Sequence, residues 1–248
     1  MFLANVIHGS YSDKGIRKEN QDAHFFLIKD KIAVLAVADG MGGYSLGREV
    51  ALAIVDAVKR ELNLCDNFSI EYLKLLINKK YIQVNDYLYD KYRSKSILTG
   101  STLSTLCFVE DKFLSVNVGD TKICRIRNNE IITISKIHNV AAEQYEKGII
   151  SYLEYKNNSK KNVLTQCIGI GKSINPHFSI DNFHKGDYYF ICSDGVYNHI
   201  DDDDFLDAFL GKKIHTNEDM EMVCKDIVLK AYSNGSKDNM TIVAFKII

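Results

Sequence analysis

Two apolar runs of this chain each end in an aspartate followed by glycine, and this pattern constrains the fold most. The runs are IAVLAVADGMGG at residues 32–43 and DYYFICSDGV at residues 187–196. Their β-prone residues predict two buried strands, each leading into a sharp turn. Asp39 and Asp194 are therefore expected at the mouths of these strands. Because a strand needs no acid at its end, the pair favours a shared pocket for a hard cation.

Asp-Gly is also an ordinary turn sequence, so a single occurrence carries little weight. The paired pattern at Asp39 and Asp194 favours a metal site, but their spacing alone leaves both interpretations open. Three further acids stand beside predicted strands: Asp22 in RKENQD, Asp120 in VGD and Asp238 in KDN. Oxygen ligands without clustered histidine or cysteine suit Mg²⁺ or Mn²⁺ rather than Zn²⁺.

The order of strands and helices favours an α+β fold with antiparallel sheets over a doubly wound parallel sheet. Strands are predicted at 24–28 and 32–38, joined by a tight turn. Apolar residues at helical spacing predict helices at 45–62 and 69–91. Residues 101–134 contain four short apolar runs separated by turn residues, which predicts a meander of antiparallel strands.

The second half of the chain is less regular. Residues 139–175 show no sustained periodicity, and the polar run KNNSKK at 156–161 predicts an exposed loop. The acids Asp201–Asp204 are interpreted as the start of a helix, because acidic residues there interact favourably with the helix dipole. The order Thr216-x-x-Asp219 resembles a capping box, so a last helix is expected to begin there, before a closing strand MTIVAFKII.

Composition argues against several classes of function. The 248 residues carry a formal net charge of −1, so the basic excess of a nucleic-acid binder is missing. The six cysteines form no CxxC pair, which favours buried thiols in a reducing compartment. No run is long enough for a membrane span, and the N-terminus does not resemble a signal peptide. We expect a cytoplasmic monomer, with one domain over 1–248 and a mobile insert at about 139–175.

Seven short motifs occur in an order that resembles a known family. They are GIRKENQDA at 15–23, VADGMGG at 37–43, GSTL at 100–103, VNVGDTKICRI at 116–126, LTQCIG at 164–169, CSDGV at 192–196 and SKDNMTIV at 236–243. Together they resemble the metal-dependent type 2C (PPM) protein serine/threonine phosphatases, in their compact bacterial form. The resemblance implies a four-layer αββα sandwich, in which helices flank two antiparallel β-sheets.

The resemblance also implies a site for two Mn²⁺ or Mg²⁺ ions, with a third, weaker ion. The implied ligands are Asp22, Asp39, Gly40, Asp120, Asp194 and Asp238. Among them, Asp39 would bridge the two ions and the Gly40 carbonyl would bind one of them. Asp22 would support the second ion through water, and Asp120 would help to hold the third. Asp194 and Asp238 would hold the first ion.

Arg17 matches the arginine that grips the substrate phosphate, where a planar guanidinium can donate two hydrogen bonds. Asn239 accompanies Asp238 in its motif and is given only a supporting role. The proton donor to the leaving oxygen stays open, because Tyr44 stands where bacterial relatives often have histidine. The candidates are Tyr44, His24 and water on a metal ion, and His24 is expected to be structural.

The implied activity is hydrolysis of phosphoserine and phosphothreonine monoesters in proteins by a metal-activated water. The partners would be phosphorylated proteins, such as the substrates of a Ser/Thr kinase. One alternative is a catalytically weak pseudophosphatase that binds phosphoproteins, but the chain keeps every core acid. Another is a nuclease or cyclic-nucleotide phosphodiesterase that uses the same acids, which the near-neutral charge disfavours.

Overall fold

The structure is a computed structural model that describes residues 6–43 and 46–248. Its strands are β1 Val6–Asp13, β2 Asp22–Lys29, β3 Ile32–Gly42, β4 Thr99–Ser101, β5 Leu103–Val109, β6 Lys112–Val118, β7 Lys122–Arg127, β8 Glu130–Thr133, β9 His177–Asn182, β10 Tyr188–Cys192 and β11 Met240–Ile247. Its helices are α1 Leu46–Leu64, α2 Ile70–Arg93, α3 Val140–Glu146, α4 Tyr152–Lys156, α5 Asp194–Tyr197, α6 Asp202–Leu210 and α7 Asn217–Ser233, with a 3₁₀ turn at Ser159–Asn162.

The strands form two sheets in which the neighbouring strands are antiparallel. One sheet has the order β1-β11-β10-β7-β8. The other has the order β2-β3-β5-β6-β9, and β4 pairs with β3 beside this path. Helices α1 and α2 pack on the second sheet, whereas α6 and α7 pack on the first. The predicted α+β sandwich of two antiparallel sheets flanked by helices is confirmed.

The largest core cluster joins the facing sides of the two sheets to α1 and α2. Every residue of β3 from 32 to 38 is fully buried, as expected for a strand covered on both faces. Phe108 bridges the sheets, with its ring centroid 4.9 Å from that of Tyr189 and 5.8 Å from that of Phe245. This aromatic contact fixes the two sheets against each other.

The long helices lie close to where the apolar periodicity places them. The buried stripe of α1 includes Val50, Ile54, Val58 and Leu62, one every four residues. Ser69 caps α2 by accepting a hydrogen bond from the backbone of Tyr72. The acidic run also behaves as predicted, since the Asp201 side chain caps α6.

The prediction of one meander over residues 101–134 is wrong. Strands β5 and β6 form a hairpin in one sheet, while β7 and β8 form a hairpin in the other. The chain crosses between the sheets at Gly119, whose φ of 106° suits glycine. Strand periodicity reveals which face is buried, but it does not identify the partner of a strand. The crossing places Asp120 between the two sheets.

The expectation that the chain turns sharply at Asp39 is also wrong. Strand β3 continues to Gly42, because β4 supplies a partner for its last three residues, with Gly40 opposite Ser101. Asp39 therefore lies inside a strand, directly across from Asp22 on β2. Asp194 does follow the end of its strand, as predicted, and opens α5.

The predicted loop at 156–161 is instead the end of α4 followed by the 3₁₀ turn. Helix α4 is only five residues long, which is too short for a periodic pattern to show in the sequence. It is stabilised by a capping box, in which Ser151 and Glu154 exchange hydrogen bonds. The sequence analysis also does not predict strand β9, which follows the insert. In the described part of the chain, no helix combines the length and apolar character of a membrane span.

The capping box of α7 gives a testable prediction for the fold. The Thr216 side chain accepts from the Asp219 backbone, and the Asp219 carboxylate accepts from the Thr216 backbone. We expect Thr216→Ala to lower the free energy of unfolding by about 1 kcal/mol. Urea denaturation measures this change. Thr216→Ser keeps the hydroxyl and is the matched control, so equal midpoints for both variants would contradict the role of the cap.

Candidate active site

A cleft of about 610 Å³ opens where the two sheets meet. It gathers residues from segments that are far apart in the sequence. The predicted site residues on its wall are Arg17, Asp39, Gly40, Asp120, Asp194, Asp238 and Asn239. The acids that the sequence singled out therefore face one space rather than separate surfaces.

Asp22 is the one predicted ligand that does not line the cleft wall. Asp22 and Asp39 are cross-strand partners in β2 and β3. Ser193 donates from Oγ to Asp22 Oδ2 at 2.9 Å, while Oδ1 is buried with no hydrogen-bond partner. Burial, with a smaller contribution from the charges of Asp194 and Asp238, raises the pKa of Asp22 to about 7.

The acids of the cleft repel one another. Burial raises the pKa of Asp39 well above its usual value, and the nearby charges of Asp22, Asp194 and Asp120 add to the shift. Burial likewise raises the pKa of Asp120, and the charge of Asp194 contributes. The pKa of Asp194 is raised to about 6 by burial and by Asp238. Such crowding of negative charge makes the cleft attractive to a cation.

Neutral hydroxyl groups hold these acids in place. The Asp39 backbone N–H donates to Thr102 Oγ1 at 2.8 Å, and Ser101 Oγ donates to the Asp39 carbonyl at 2.9 Å. The Thr241 backbone N–H donates to Ser193 Oγ at 2.9 Å, and this hydroxyl in turn donates to Asp22. Sequence reasoning missed these residues, although GSTL and SKDNMTIV contain them. Hydroxyl-bearing residues are common in strands, so only the tertiary structure distinguishes them.

Gly40 lies where the backbone of three segments meets. A Cβ at this position would clash with the Gly47 carbonyl of α1 and would approach the Gln21 carbonyl to 2.7 Å. The Gly40 N–H donates to the same Gln21 carbonyl at 3.2 Å. Any larger residue would push β3 away from α1, so glycine is required next to Asp39.

Arg17 stands at the mouth of the cleft. Its Nη2 donates to Asp238 Oδ2 at 2.7 Å. The Arg17 side chain is 57% exposed and that of Asp238 is 44% exposed. The hydrogen bond to Asp238 raises the pKa of Arg17, so the guanidinium is fully charged. An ion pair this exposed contributes little to stability, about 0–1 kcal/mol. The guanidinium is therefore available to an anion that enters the cleft.

Asn239 fastens the segment that carries Arg17. Its Oδ1 accepts from the Gln21 backbone at 2.8 Å, and its Nδ2 donates to the carbonyls of Lys14 at 3.0 Å and Glu19 at 2.9 Å. The Asn239 side chain is buried, and its three hydrogen bonds are partly shielded from water. These three hydrogen bonds form a clamp on residues 14–21.

One of the candidate proton donors, His24, can be placed. His24 does not line the cleft, and its Nε2 hydrogen-bonds Ser10 Oγ at 3.1 Å. Burial lowers the pKa of His24. His24 is therefore structural, as expected. Tyr44 lies outside the described residues.

A family model described as protein phosphatase 2C matches residues 14–227. The chain belongs to the protein phosphatase 2C family. This assignment confirms the resemblance drawn from the seven motifs.

Several proteins named as serine/threonine phosphatases resemble the chain over most of its length. It is 26% identical over 239 residues to a serine/threonine phosphatase (stp) of Listeria welshimeri, which covers 94% of this chain and 92% of that protein. The serine/threonine phosphatase of S. agalactiae superimposes with a TM-score of 0.90 at 22% identity, covering 98% of this chain and 100% of that one. The catalytic domain of the phosphatase PstP, described as a complex with 2 manganese ions, has a TM-score of 0.81 at 21% identity, with 98% of each chain covered.

The donor set of this phosphatase 2C cleft fits a hard divalent cation. Its polar wall offers carboxylate and carbonyl oxygens, which Mg²⁺ and Mn²⁺ prefer. The orphaned, buried Oδ1 of Asp22 adds an oxygen that still needs a partner. Across residues 6–43 and 46–248, however, no three His, Cys, Asp or Glu side chains are close enough to make a closed cage. The cleft therefore fits a cation through the negative charge of its acids and through its oxygen donors. Carbonyl and water oxygens would have to complete the coordination shell.

The clamp in this phosphatase 2C chain predicts a local effect of Asn239. We expect Asn239→Ala to loosen residues 14–21, because three backbone groups of this segment lose their hydrogen-bond partner. Limited digestion with trypsin should then cut after the basic residues of this segment at least about 10-fold faster, as local opening becomes easier. Asn234→Ala removes a hydrogen bond to the distant His199 carbonyl and is the control. Equal digestion of both variants would contradict the clamp.

Proposed function

We propose that the chain is an active, metal-dependent protein serine/threonine phosphatase that hydrolyses phosphoserine and phosphothreonine monoesters. The observation that carries the proposal is the convergence of Asp39, Asp120, Asp194 and Asp238 on one cleft with Arg17 at its mouth. Membership of the protein phosphatase 2C family and relatives named as serine/threonine phosphatases support it. No observation favours the pseudophosphatase alternative.

Two Mn²⁺ or Mg²⁺ ions, with a third, weaker one, are proposed as cofactors. Asp39, Asp194, Asp238 and the Gly40 carbonyl would hold the first two, with Asp22 supporting the second and Asp120 the third. When bound, such ions supply Lewis acidity and an activated water for in-line attack on phosphorus. The manganese complex of the structural relative PstP supports this choice of ions.

Charge explains why this chain would need cations to accept its substrate. A phosphate monoester is dianionic at neutral pH, and the acids of the cleft would repel it. Arg17 alone cannot offset several carboxylates, since its charge is already shared with Asp238. Cations bound by the acids would reverse the local potential and draw the phosphate in.

Arg17 would bind the phosphate group of the substrate. Its planar guanidinium can donate two parallel hydrogen bonds to phosphate oxygens. Its exposed pair with Asp238 is weak enough to be exchanged for a phosphate oxygen. Asn239 would keep the Arg17 segment in place during this exchange, through its clamp on residues 14–21.

The proposed setting is the cytoplasm, where the chain would act as a monomer on the phosphorylated products of a Ser/Thr kinase. All six cysteines are free and buried, which suits a reducing compartment. The formal net charge of −1 gives no support to a nucleic-acid substrate.

The bridging role of Asp39 can be tested directly. We expect Asp39→Asn to lower the turnover of p-nitrophenyl phosphate and phosphothreonine peptides by about 100-fold or more, because a neutral amide stabilises neighbouring cations poorly. Asp203→Asn removes the same charge from an exposed position outside the cleft and should leave turnover unchanged.

Three results would contradict the proposal. Near-normal turnover of Asp39→Asn would reject the bridging role. Full activity of the natural chain in excess EDTA would reject metal dependence. Cleavage of bis-p-nitrophenyl phosphate as fast as the monoester would favour a phosphodiesterase.

The insert at 139–175 is proposed to act as a flap that tunes substrate choice. Its residues Lys156, Lys161 and Asn162 line a cavity that also includes Arg17, Asp194 and Asp238 of the active-site cleft. A protein substrate bound at the cleft would therefore contact this part of the insert. The lysines there would favour acidic residues beside the phosphorylated one.

Replacement of residues 156–161 with Gly and Ser tests the flap. We expect the preference between acidic and basic phosphopeptides to fall by up to about 5-fold, since one exposed charge contact is worth up to about 1 kcal/mol. The turnover of p-nitrophenyl phosphate, which has no flanking residues, is the internal control and should change little. Unchanged peptide selectivity would contradict the proposal.

A further inference from the structure

We propose that Thr102 is a positioning residue, which fixes the Asp39 carboxylate relative to the loop of Asp120 and thereby sets the divalent-cation affinity of the cleft. This inference rests on the proposed function, because it assumes that the two aspartates bind cations. Thr102 is the third residue of the GSTL segment and lies between β4 and β5, and the sequence analysis assigns it no role. It borders the cleft although it is almost completely buried.

Thr102 forms two hydrogen bonds with the backbone of Asp39. The Asp39 N–H donates to Thr102 Oγ1 at 2.8 Å, and the Thr102 N–H donates to the Asp39 carbonyl at 2.9 Å. The second bond needs only the backbone of residue 102, whereas the first needs its hydroxyl. Removing the hydroxyl would leave the Asp39 N–H buried without its acceptor, next to the carboxylate that the site depends on.

The same hydroxyl reaches the loop that carries Asp120. Thr102 Oγ1 lies 2.7 Å from Thr121 Oγ1, and both side chains are buried. Gly119 of the same loop packs closely against the Thr102 side chain. A Cβ added at Gly119 would come within 2.6 Å of the Thr102 Cβ. Thr102 thus touches the residues on both sides of Asp120.

A tether is needed here because the two carboxylates repel each other. The negative charge of Asp120 is one of those that disfavour ionisation of Asp39. Strand β3 and the Asp120 loop would separate if electrostatics alone acted on them. The Thr102–Thr121 contact joins them through neutral groups, so it keeps the acids close without cancelling the charge that attracts cations.

The closing experiment compares three variants by calorimetric titration of the full chain with Mn²⁺. Thr102→Val keeps the shape but removes the hydroxyl, and we expect its Mn²⁺ affinity to fall by about 10- to 100-fold, as for other groups that orient metal ligands. Thr102→Ser keeps the hydroxyl and should retain the affinity of the natural chain. Thr105→Val removes a buried hydroxyl from the same segment, one that accepts from Tyr81 at 2.9 Å. It should leave Mn²⁺ affinity unchanged.

Each outcome decides the inference. Equal Mn²⁺ affinity of Thr102→Val and the natural chain would overturn it, and so would an equal loss in Thr105→Val. If Thr102→Val does not fold, Thr121→Val removes the other hydroxyl of the tether and should weaken Mn²⁺ binding in the same direction. A natural chain that binds Mn²⁺ but hydrolyses no monoester would refute the proposed function while the inference stands. A natural chain that does not bind Mn²⁺ would refute both.

Discussion

The burial of several carboxylates around one cleft is the constraint on which the rest of the structure depends. Burial and mutual repulsion raise the pKa values of Asp22, Asp39, Asp120 and Asp194, so ionising them at neutral pH costs folding free energy. The surrounding sandwich must offset that cost. It does so with a continuous apolar core, in which β3 is buried on both faces and aromatic rings join the sheets. The site is thus held together by packing rather than by its own charges.

Neutral hydrogen bonds give the acids their positions without neutralising them. Ser193 donates to Asp22, Ser101 donates to the Asp39 carbonyl, and Thr102 accepts from the Asp39 N–H. Arg17 contributes a positive charge at the exposed mouth, where water weakens its pair with Asp238. This arrangement preserves a strongly negative interior for cations and leaves one cationic donor at the entrance for a phosphate group.

The sequence predicted the parts of the fold that depend on local periodicity. Helices α1, α2 and α7 lie close to their predicted positions because their apolar stripes repeat over four or more turns. The short elements were missed or misplaced. Strand β4 has three residues and helix α4 has five, and such lengths leave no periodic trace. The meander prediction failed because β6 and β7 follow each other in sequence yet pair in different sheets.

The sequence by itself determined the family and the chemical identity of the acids, because the seven motifs and their order are properties of the chain alone. The tertiary structure decided how those acids meet. Asp22 stands across from Asp39 only because β2 and β3 pair in that register, and Asp120 joins them only because the chain crosses between sheets at Gly119. It also decided which of many polar residues hold the site, among them Thr102 and Asn239. Register, sheet crossing and buried hydrogen bonds arise from contacts between distant segments, and no local pattern in the sequence records them.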